Sequence, residues 1–184
     1  ALSGYLIFSY AVTNFMFAPM LGNLSDAYGR KPLLVTSLFV YGGAYLLAGF
    51  ATALWMLLLG RLLTGITSAT YAIANALIAD VSTAEDKAQN FGLLGVAFGL
   101  GFIVGPALGG IIGAWDLRAP FFIASGLALI NTLYGLIFFR ETLAPENRRP
   151  FELKRASPWG ALTQLSKYPL LIGLVIAVFL NNIG

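Results

Sequence analysis

The sequence predicts an all-α integral membrane protein, and its composition and its apolar runs lead to this fold class. Hydrophobic residues make up 58% of the chain and charged residues 10%, whereas soluble proteins average about 45–50% and about 25%. The hydrophobic residues form long runs, and a helix needs roughly 20 residues to cross the hydrocarbon core of a bilayer. These runs lack the alternating pattern of barrel strands. We therefore expect membrane helices.

Each of six apolar runs predicts one helical segment. The runs cover residues 2–21, 33–52, 54–79, 91–115, 119–139 and 169–184. The last run is short for a membrane helix, and the chain opens with Ala1 and has no signal-peptide pattern. We expect this sequence to be a fragment of a longer protein.

Basic residues predict the orientation of these helices. Of the eleven Lys and Arg residues, most fall in three loops that an even spacing of helices places on one side: Arg30, Lys31, Lys87, Arg140, Arg148, Arg149, Lys154, Arg155 and Lys167. The positive-inside rule makes that side cytoplasmic. Topology thus explains the net charge of +3, and we expect no nucleic-acid partner.

Residues 140–168 interrupt the apolar pattern with charged residues and prolines, and we interpret them as a cytoplasmic linker. Loops of this length within a compact bundle are usually linkers or functional segments. A short amphipathic helix with Trp159, Leu162 and Leu165 on one face is one possibility for its second half, and a solvated basic tether is the other.

The chain contains no Cys and no His. Thiolate nucleophiles, imidazole bases and the usual zinc ligands are therefore missing from this segment. We therefore expect that the protein is not an enzyme and that it has neither a metal site nor a cofactor.

A charged turn lies between the first two runs, and it contains Gly22, Asp26, Gly29, Arg30 and Lys31. We expect the glycines to permit close backbone approach or positive φ. Asp26 is expected to accept hydrogen bonds from a helix N-terminus or to pair with Arg30. An ordinary positive-inside loop would explain the two bases but neither the glycines nor the acid.

This turn resembles the loop signature G-x-L-a-D-r-x-G-r-k of the major facilitator superfamily, with Ala27 in place of the usual base. The resemblance implies a secondary transporter of 12 helices, in which a linker joins two six-helix halves. Residues 1–139 would then hold the second to sixth helices, residues 140–168 the linker, and residues 169–184 the start of the seventh. The first helix and most of the C-terminal half would be absent, and the charged turn would be a gating hinge.

Arg61 is the only formal charge well inside an apolar run. A cation there costs roughly 2.5–3.5 kcal/mol on insertion scales, which favours a position facing protein or a water-filled cavity. A side chain that snorkels to the outer headgroups is the alternative. The segment from Arg61 resembles the superfamily's fourth-helix signature R-x-x-q-G-x-g-a-a, matched at Arg61 and Gly65 but not at Thr64. The resemblance implies a role for Arg61 in proton coupling.

A glycine recurs at every fourth position from Gly101 to Gly113, and this spacing predicts a face for close helix packing. The stretch also resembles the fifth-helix signature of the superfamily's antiporters, g-x-x-x-G-P-x-x-G-G. It matches this signature at Gly101, Gly105, Pro106, Gly109 and Gly110. The resemblance implies antiport, whereas generic small-residue packing would not explain Gly-Pro followed by Gly-Gly.

Asp80 and Lys87 lie at a predicted cytoplasmic boundary, where they could pair across a turn and brace it against the hinge. Two solvated charges, worth about 0–1 kcal/mol, are the alternative. The stretch around them resembles the tetracycline/proton antiporter branch. That branch carries an acid in its third helix where this sequence has Ala44, so we expect that tetracycline is not the main substrate.

Three further residues are weak candidates for a substrate cavity: Asn14, Phe15 and Asn131. The two amides could equally form interhelical hydrogen bonds.

The sequence predicts a monomeric transporter of a bacterial inner membrane that exchanges protons for an amphipathic or cationic organic compound, with the proton gradient as its energy source. The alternatives are a uniporter or symporter of a small metabolite and a membrane scaffold that transports nothing.

Overall fold

The computed structural model describes residues 2–68, 70–152, 156–158, 160 and 173 of the chain. In this part of the protein, the regular structure is entirely helical. The helices are α1 Leu2–Tyr28, α2 Arg30–Gly49, α3 Leu54–Thr67, α4 Thr70–Val81, α5 Lys87–Trp115 and α6 Ala119–Phe138, and a short 3-10 turn follows at Pro145–Asn147.

Within the described part of the chain, five helical spans are long and apolar enough to cross a membrane. They are Gly4–Tyr28, Arg30–Gly49, Leu54–Val81, Lys87–Trp115 and Ala119–Phe138. Five of the six predicted membrane segments are therefore confirmed as helices. The third span consists of α3 and α4, although its apolar run predicted one uninterrupted helix. The sixth segment, 169–184, and the face predicted for Trp159, Leu162 and Leu165 lie outside the described residues.

Small residues bring α2 and α6 into close contact. A Cβ atom added at Gly42 would lie 3.0 Å from Leu129, and one added at Gly49 would lie 2.8 Å from the ring of Phe122. The hydroxyl group of the buried Ser125 donates a 2.8 Å hydrogen bond to the carbonyl oxygen of Gly42. Lipid provides no hydrophobic force between membrane helices, so their association depends on close packing and hydrogen bonds of this kind.

Glycines of α3 allow the same close approach to α1 and α2. A Cβ atom at Gly65 would lie 2.8 Å from the carbonyl oxygen of Tyr10, and one at Gly60 would lie 3.3 Å from that of Ala44. Gly65, which the fourth-helix signature contains, is thus a contact between α3 and the backbone of α1.

The glycine stripe of α5 does not pack against the described part of the chain. A Cβ atom at Gly101, Gly105, Gly109 or Gly110 would meet nothing within 4 Å, and no residue of α5 is buried. Only Gly113 approaches a neighbour, at 3.7 Å from Pro120. The expected packing face is therefore not an interface within these residues, because α5 lies at the edge of the bundle and contacts mainly α4 and α6.

Candidate functional site

A single residue, Gly29, separates α1 from α2. Its φ angle of 110° lies in the region that favours glycine. A Cβ atom there would also lie 2.8 Å from the carboxyl carbon of Glu141. The sequence predicted a longer turn with a special role for Gly22, and that part is wrong: Gly22 is helical and has open space around it. The connection is a sharp junction because α1 continues to Tyr28.

Arg30 joins three helices at this junction. Its guanidinium group forms an ion pair with Asp26 on α1 and a second one with Asp80 on α4, where Nε lies 3.1 Å from Oδ2. Nη1 also donates a 2.7 Å hydrogen bond to the hydroxyl group of the fully buried Ser25. The Arg30 side chain is 11% exposed, whereas those of Asp26 and Asp80 are 38% and 23% exposed, so these charge-assisted contacts are partly shielded from water.

The expected ion pair between Asp80 and Lys87 is absent from the described residues. Asp80 pairs with Arg30 instead and accepts a weak 3.4 Å hydrogen bond from the Thr142 hydroxyl group. Lys87 is exposed at the start of α5. Asp80 does brace the hinge as predicted, but its partner differs because the last turn of α4 lies against the N-terminus of α2.

Lys31, the other base of the predicted hinge, reaches a different neighbour. Its ammonium group donates a 2.9 Å hydrogen bond to the carbonyl oxygen of Leu136, in the last turn of α6. A cation is favourable at a helix C-terminus, where carbonyl groups lack helical partners. Lys31 therefore connects α6 to the same junction.

Glu141 is a residue of this site that the sequence reading did not identify. Its Oε1 atom accepts hydrogen bonds from the backbone N–H groups of Arg30 at 2.9 Å and of Thr142 and Leu143 at 3.1 Å, and Oε2 accepts one from Lys31 at 3.3 Å. A carboxylate in this position satisfies free N–H groups at the start of α2 and complements the helix dipole. The only signal in the sequence was an acid shortly after the last apolar run of the bundle.

The charge state of Glu141 follows from these contacts. Desolvation raises the pKa of its carboxyl group, but hydrogen bonds from the N–H groups of Leu143, Arg30, Lys31 and Thr142 outweigh it. The net effect lowers the pKa below its ordinary value, because the N–H groups stabilise the ionised form.

The first part of the predicted linker folds back onto the junction. The N–H group of Arg149 donates a 3.1 Å hydrogen bond to the carbonyl oxygen of Asp26, and that of Glu152 donates a 3.3 Å one to Oδ1 of Asn23. A polar cavity of about 410 Å³ lies between the linker and the junction. It is lined by Asp26, Arg30, Asp80, Leu143, Asn147 and Arg149.

Arg61 lies on a separate cavity of about 120 Å³ within the helical bundle. The cavity is lined by Leu6, Ala44, Tyr45, Ala48, Leu57, Gly60, Arg61, Thr64 and Phe121. Arg61 borders this cavity and is also exposed in the described structure, so a side chain that faces the cavity and one that snorkels to the headgroups both stay predictions. Its role in proton coupling stays a prediction.

The three weak cavity candidates do not come together. Asn14, Phe15 and Asn131 are all absent from the lining of the Arg61 cavity, and Phe15 and Asn131 are exposed. α1, which carries Asn14, packs mainly against α3, whereas α6, which carries Asn131, packs mainly against α2. A further cavity of about 240 Å³ is instead lined by Tyr10, Leu38, Tyr41, Thr67, Ser68, Thr70 and Tyr71.

The chain belongs to the Major Facilitator Superfamily, whose family model it matches along residues 1–184. The membership predicted from the sequence signatures is confirmed.

Among bacterial relatives, the class B tetracycline resistance protein of Escherichia coli is 48% identical over 139 residues, which are 76% of this chain and 35% of the relative. The class C protein of Escherichia coli is 38% identical over 180 residues, 98% of this chain and 45% of the relative. Multidrug resistance protein 2 of Bacillus subtilis (strain 168) is 32% identical over 146 residues, which are 79% of this chain and 36% of the relative.

A solved structure, that of the human organic anion transporter MFSD10 (TETRAN), has a TM-score of 0.73 and 32% identity, over 80% of this chain and 34% of that one. The chain thus spans less than half the length of the relatives that it matches. Together with the membrane-length helices, the bacterial relatives support the predicted location in a bacterial inner membrane.

Proposed function

We propose that this chain is part of a proton-coupled antiporter that exports an amphipathic organic compound by alternating access. The observation that carries the proposal is the ionic junction at the cytoplasmic end of the bundle. There Arg30 connects α2 to Asp26 on α1 and to Asp80 on α4, and Glu141 caps the same end of α2.

A junction of this kind suits a gate. Its contacts are charge-assisted and partly buried, so breaking them costs more than breaking solvated pairs would. They also join elements that can move as rigid bodies, and such elements exchange between discrete packed arrangements in transporters. The junction would therefore latch one conformation and open in the other.

The glycine stripe of α5 supports the same proposal. Gly101, Gly105 and Gly109 face open space in the described residues, so they are available for close contact with another membrane helix. Such small-residue faces allow two backbones to approach and slide. We assign this contact to helices of the full-length protein outside this chain.

Arg61 would couple transport to protons through its charge. None of the eight acidic residues of the chain lies near the middle of a described helix. The proton carrier is therefore expected elsewhere in the full-length protein, where the field of Arg61 would favour the ionised form of an acid.

The names of the relatives support an organic substrate without fixing its charge, since they refer to tetracycline resistance, multidrug resistance and organic anion transport. A uniporter or symporter of a small metabolite is the alternative within transport. A membrane scaffold is the alternative outside it, but it would have no use for an ionic junction or an intramembrane cation.

Reconstitution of the full-length protein tests this function. Proteoliposomes would enclose a pH-sensitive dye, and a gradient of an amphipathic organic compound would be imposed without any pH gradient. An antiporter would move protons against the direction of the compound, a symporter would move them with it, and a uniporter would transport the compound without changing the pH. No transport of any compound offered would support the scaffold.

A further inference from the structure

The Arg61 cavity contains one positive charge and no negative one. Among its nine lining residues, Arg61 is the only charged side chain, and none is acidic. In the part of the chain that the structure describes, the guanidinium group of Arg61 makes no hydrogen bond or ion pair. Arg61 is also exposed in the described residues, so its charge is open to a ligand, and a cation beside apolar groups favours a ligand that supplies a negative charge.

The neutral polar groups of the cavity agree with this charge. The hydroxyl oxygen of Tyr45 accepts a 3.2 Å hydrogen bond from Tyr41, which leaves the O–H group of Tyr45 as a donor. The hydroxyl group of Thr64 donates to the carbonyl oxygen of Arg61 within α3, at 3.0 Å. The cavity lining therefore includes a guanidinium group, which has only donors, and a tyrosine with a hydroxyl donor, and this combination suits an acceptor-rich group.

The remaining walls of the cavity are apolar. Leu6 comes from α1, Ala48 from α2, Leu57 from α3 and Phe121 from α6. Binding sites for organic molecules have this composition, with a mostly apolar lining and a few polar groups that fix orientation. A volume of about 120 Å³ suits the charged head of a ligand rather than a whole drug-sized molecule.

Ala44 is the position at which the resemblance implies an acid, and here it adds no negative charge to the cavity. It lies on the cavity with Arg61, its side chain is a methyl group, and its carbonyl oxygen is close to Gly60. An acid at this position would add a negative charge to the lining of the same cavity and offset that of Arg61. With alanine, the positive charge is left for a ligand.

We propose that the Arg61 cavity binds the carboxylate or sulfonate group of an amphipathic organic anion, with Arg61 as the charge partner. This inference deepens the proposed function and rests on it, since it names the charge of the transported compound. It departs from the cationic compound that the sequence analysis allowed.

The test compares two probes of equal size and opposite charge on the purified full-length protein. The probes are 2-naphthalenesulfonate and 2-naphthyltrimethylammonium, and binding is measured by titration calorimetry. We expect the wild type to bind the sulfonate more tightly than the ammonium probe. Arg61→Gln should weaken sulfonate binding at least about tenfold, because it removes the charge but keeps a polar side chain. Arg61→Lys should keep most of the affinity.

Arg118→Gln is the matched control, because Arg118 lies in the exposed connection between α5 and α6 and is not part of the cavity. It should leave sulfonate binding unchanged. Ala44→Asp should abolish sulfonate binding by supplying an internal partner, with thermal unfolding as the check that it folds. The proposal is overturned if the wild type prefers the ammonium probe or if Arg61→Gln binds the sulfonate normally.

The same probes in proteoliposomes separate this proposal from the proposed function. Proton-coupled transport of the ammonium probe without Arg61-dependent sulfonate binding would leave the antiporter in place and overturn the anion site. Arg61-dependent sulfonate binding without proton movement would keep the anion site and overturn proton coupling.

Discussion

Arg30 at the start of α2 and Asp80 near the end of α4 are 50 residues apart in the chain, yet Nε and Oδ2 lie 3.1 Å from each other. This contact fixes the cytoplasmic end of α4 against the junction of α1 and α2. Asp26 shares the same guanidinium group, so one side chain holds three helices together.

Removal of one charge from this junction should slow transport. Asp26→Asn keeps the size of the side chain but loses the ion pair with Arg30. The Arg30 side chain is 11% exposed and that of Asp26 is 38% exposed, so water reduces the about 1.5–3 kcal/mol of a charge-assisted hydrogen bond. We expect turnover in proteoliposomes to fall by about tenfold or more, while expression stays near the wild-type level. Glu85→Gln removes an exposed acid of the loop before α5 and should transport normally. Wild-type turnover in Asp26→Asn would show that the junction is not a latch.

Gly29→Ala should destabilise the protein. The alanine would be forced to a φ angle of 110° and its Cβ atom would meet Glu141, and a residue held in such a region costs about 1–3 kcal/mol. Thermal unfolding in detergent should show a clear decrease in midpoint. Gly22→Ala is the matched control in the same signature: it lies in open space within α1 and should be neutral or slightly stabilising. Equal unfolding midpoints for the two variants would contradict this account of Gly29.

Glu141 should make stability depend on acid pH. Its pKa is lower in the folded protein than the ordinary value of 4.5. The ionised carboxylate therefore contributes stability above that value, and the contribution is lost as the pH falls through the lowered pKa. Glu141→Gln should flatten the acid side of a plot of unfolding midpoint against pH. Glu146→Gln, a change in the exposed 3-10 turn, should keep the wild-type slope. If Glu141→Gln also kept the wild-type slope, Glu141 would not stabilise the start of α2.

Gly105→Leu should abolish exchange or convert it to a leak without preventing insertion. The described residues leave space for the leucine, so the bundle itself should fold, but the side chain would block a close contact with another helix of the full-length protein. Gly99 also has nothing within 4 Å of a Cβ atom and lies off the four-residue repeat, so Gly99→Leu is the control. Normal coupled exchange in Gly105→Leu would mean that the stripe faces lipid.

Tetracycline should be a poor substrate of the full-length protein. The resemblance to the tetracycline/proton antiporter branch implies an acid where this chain has Ala44, and Ala44 lies on the same cavity as Arg61. A missing charge in a membrane cavity changes affinity by orders of magnitude, because burial of an unpaired charge costs several kcal/mol. In a pump-deficient bacterium, we expect no tetracycline resistance from the wild type, or resistance only from Ala44→Asp. Strong resistance from the unmodified protein would refute this prediction.

The sequence by itself determined the membrane helices, the family and the chemistry of the hinge. Apolar runs set the helices because a bilayer requires both length and internal backbone hydrogen bonding. Gly29 could be recognised because positive φ is a local property of one residue. The pair of Asp26 and Arg30 could be predicted because residues four apart lie on one face of a helix or a tight turn.

The tertiary structure decided which distant groups meet. Lys87 is the nearest base to Asp80 in the sequence, but the packing of the helices places Asp80 beside Arg30, with which it forms an ion pair. Glu141 caps a helix that begins 111 residues earlier, and the glycines that pack are those of α2 and α3 rather than the regular stripe of α5. The physical reason is that an apolar run specifies that a helix forms, whereas its neighbours and its rotation depend on contacts with the other helices.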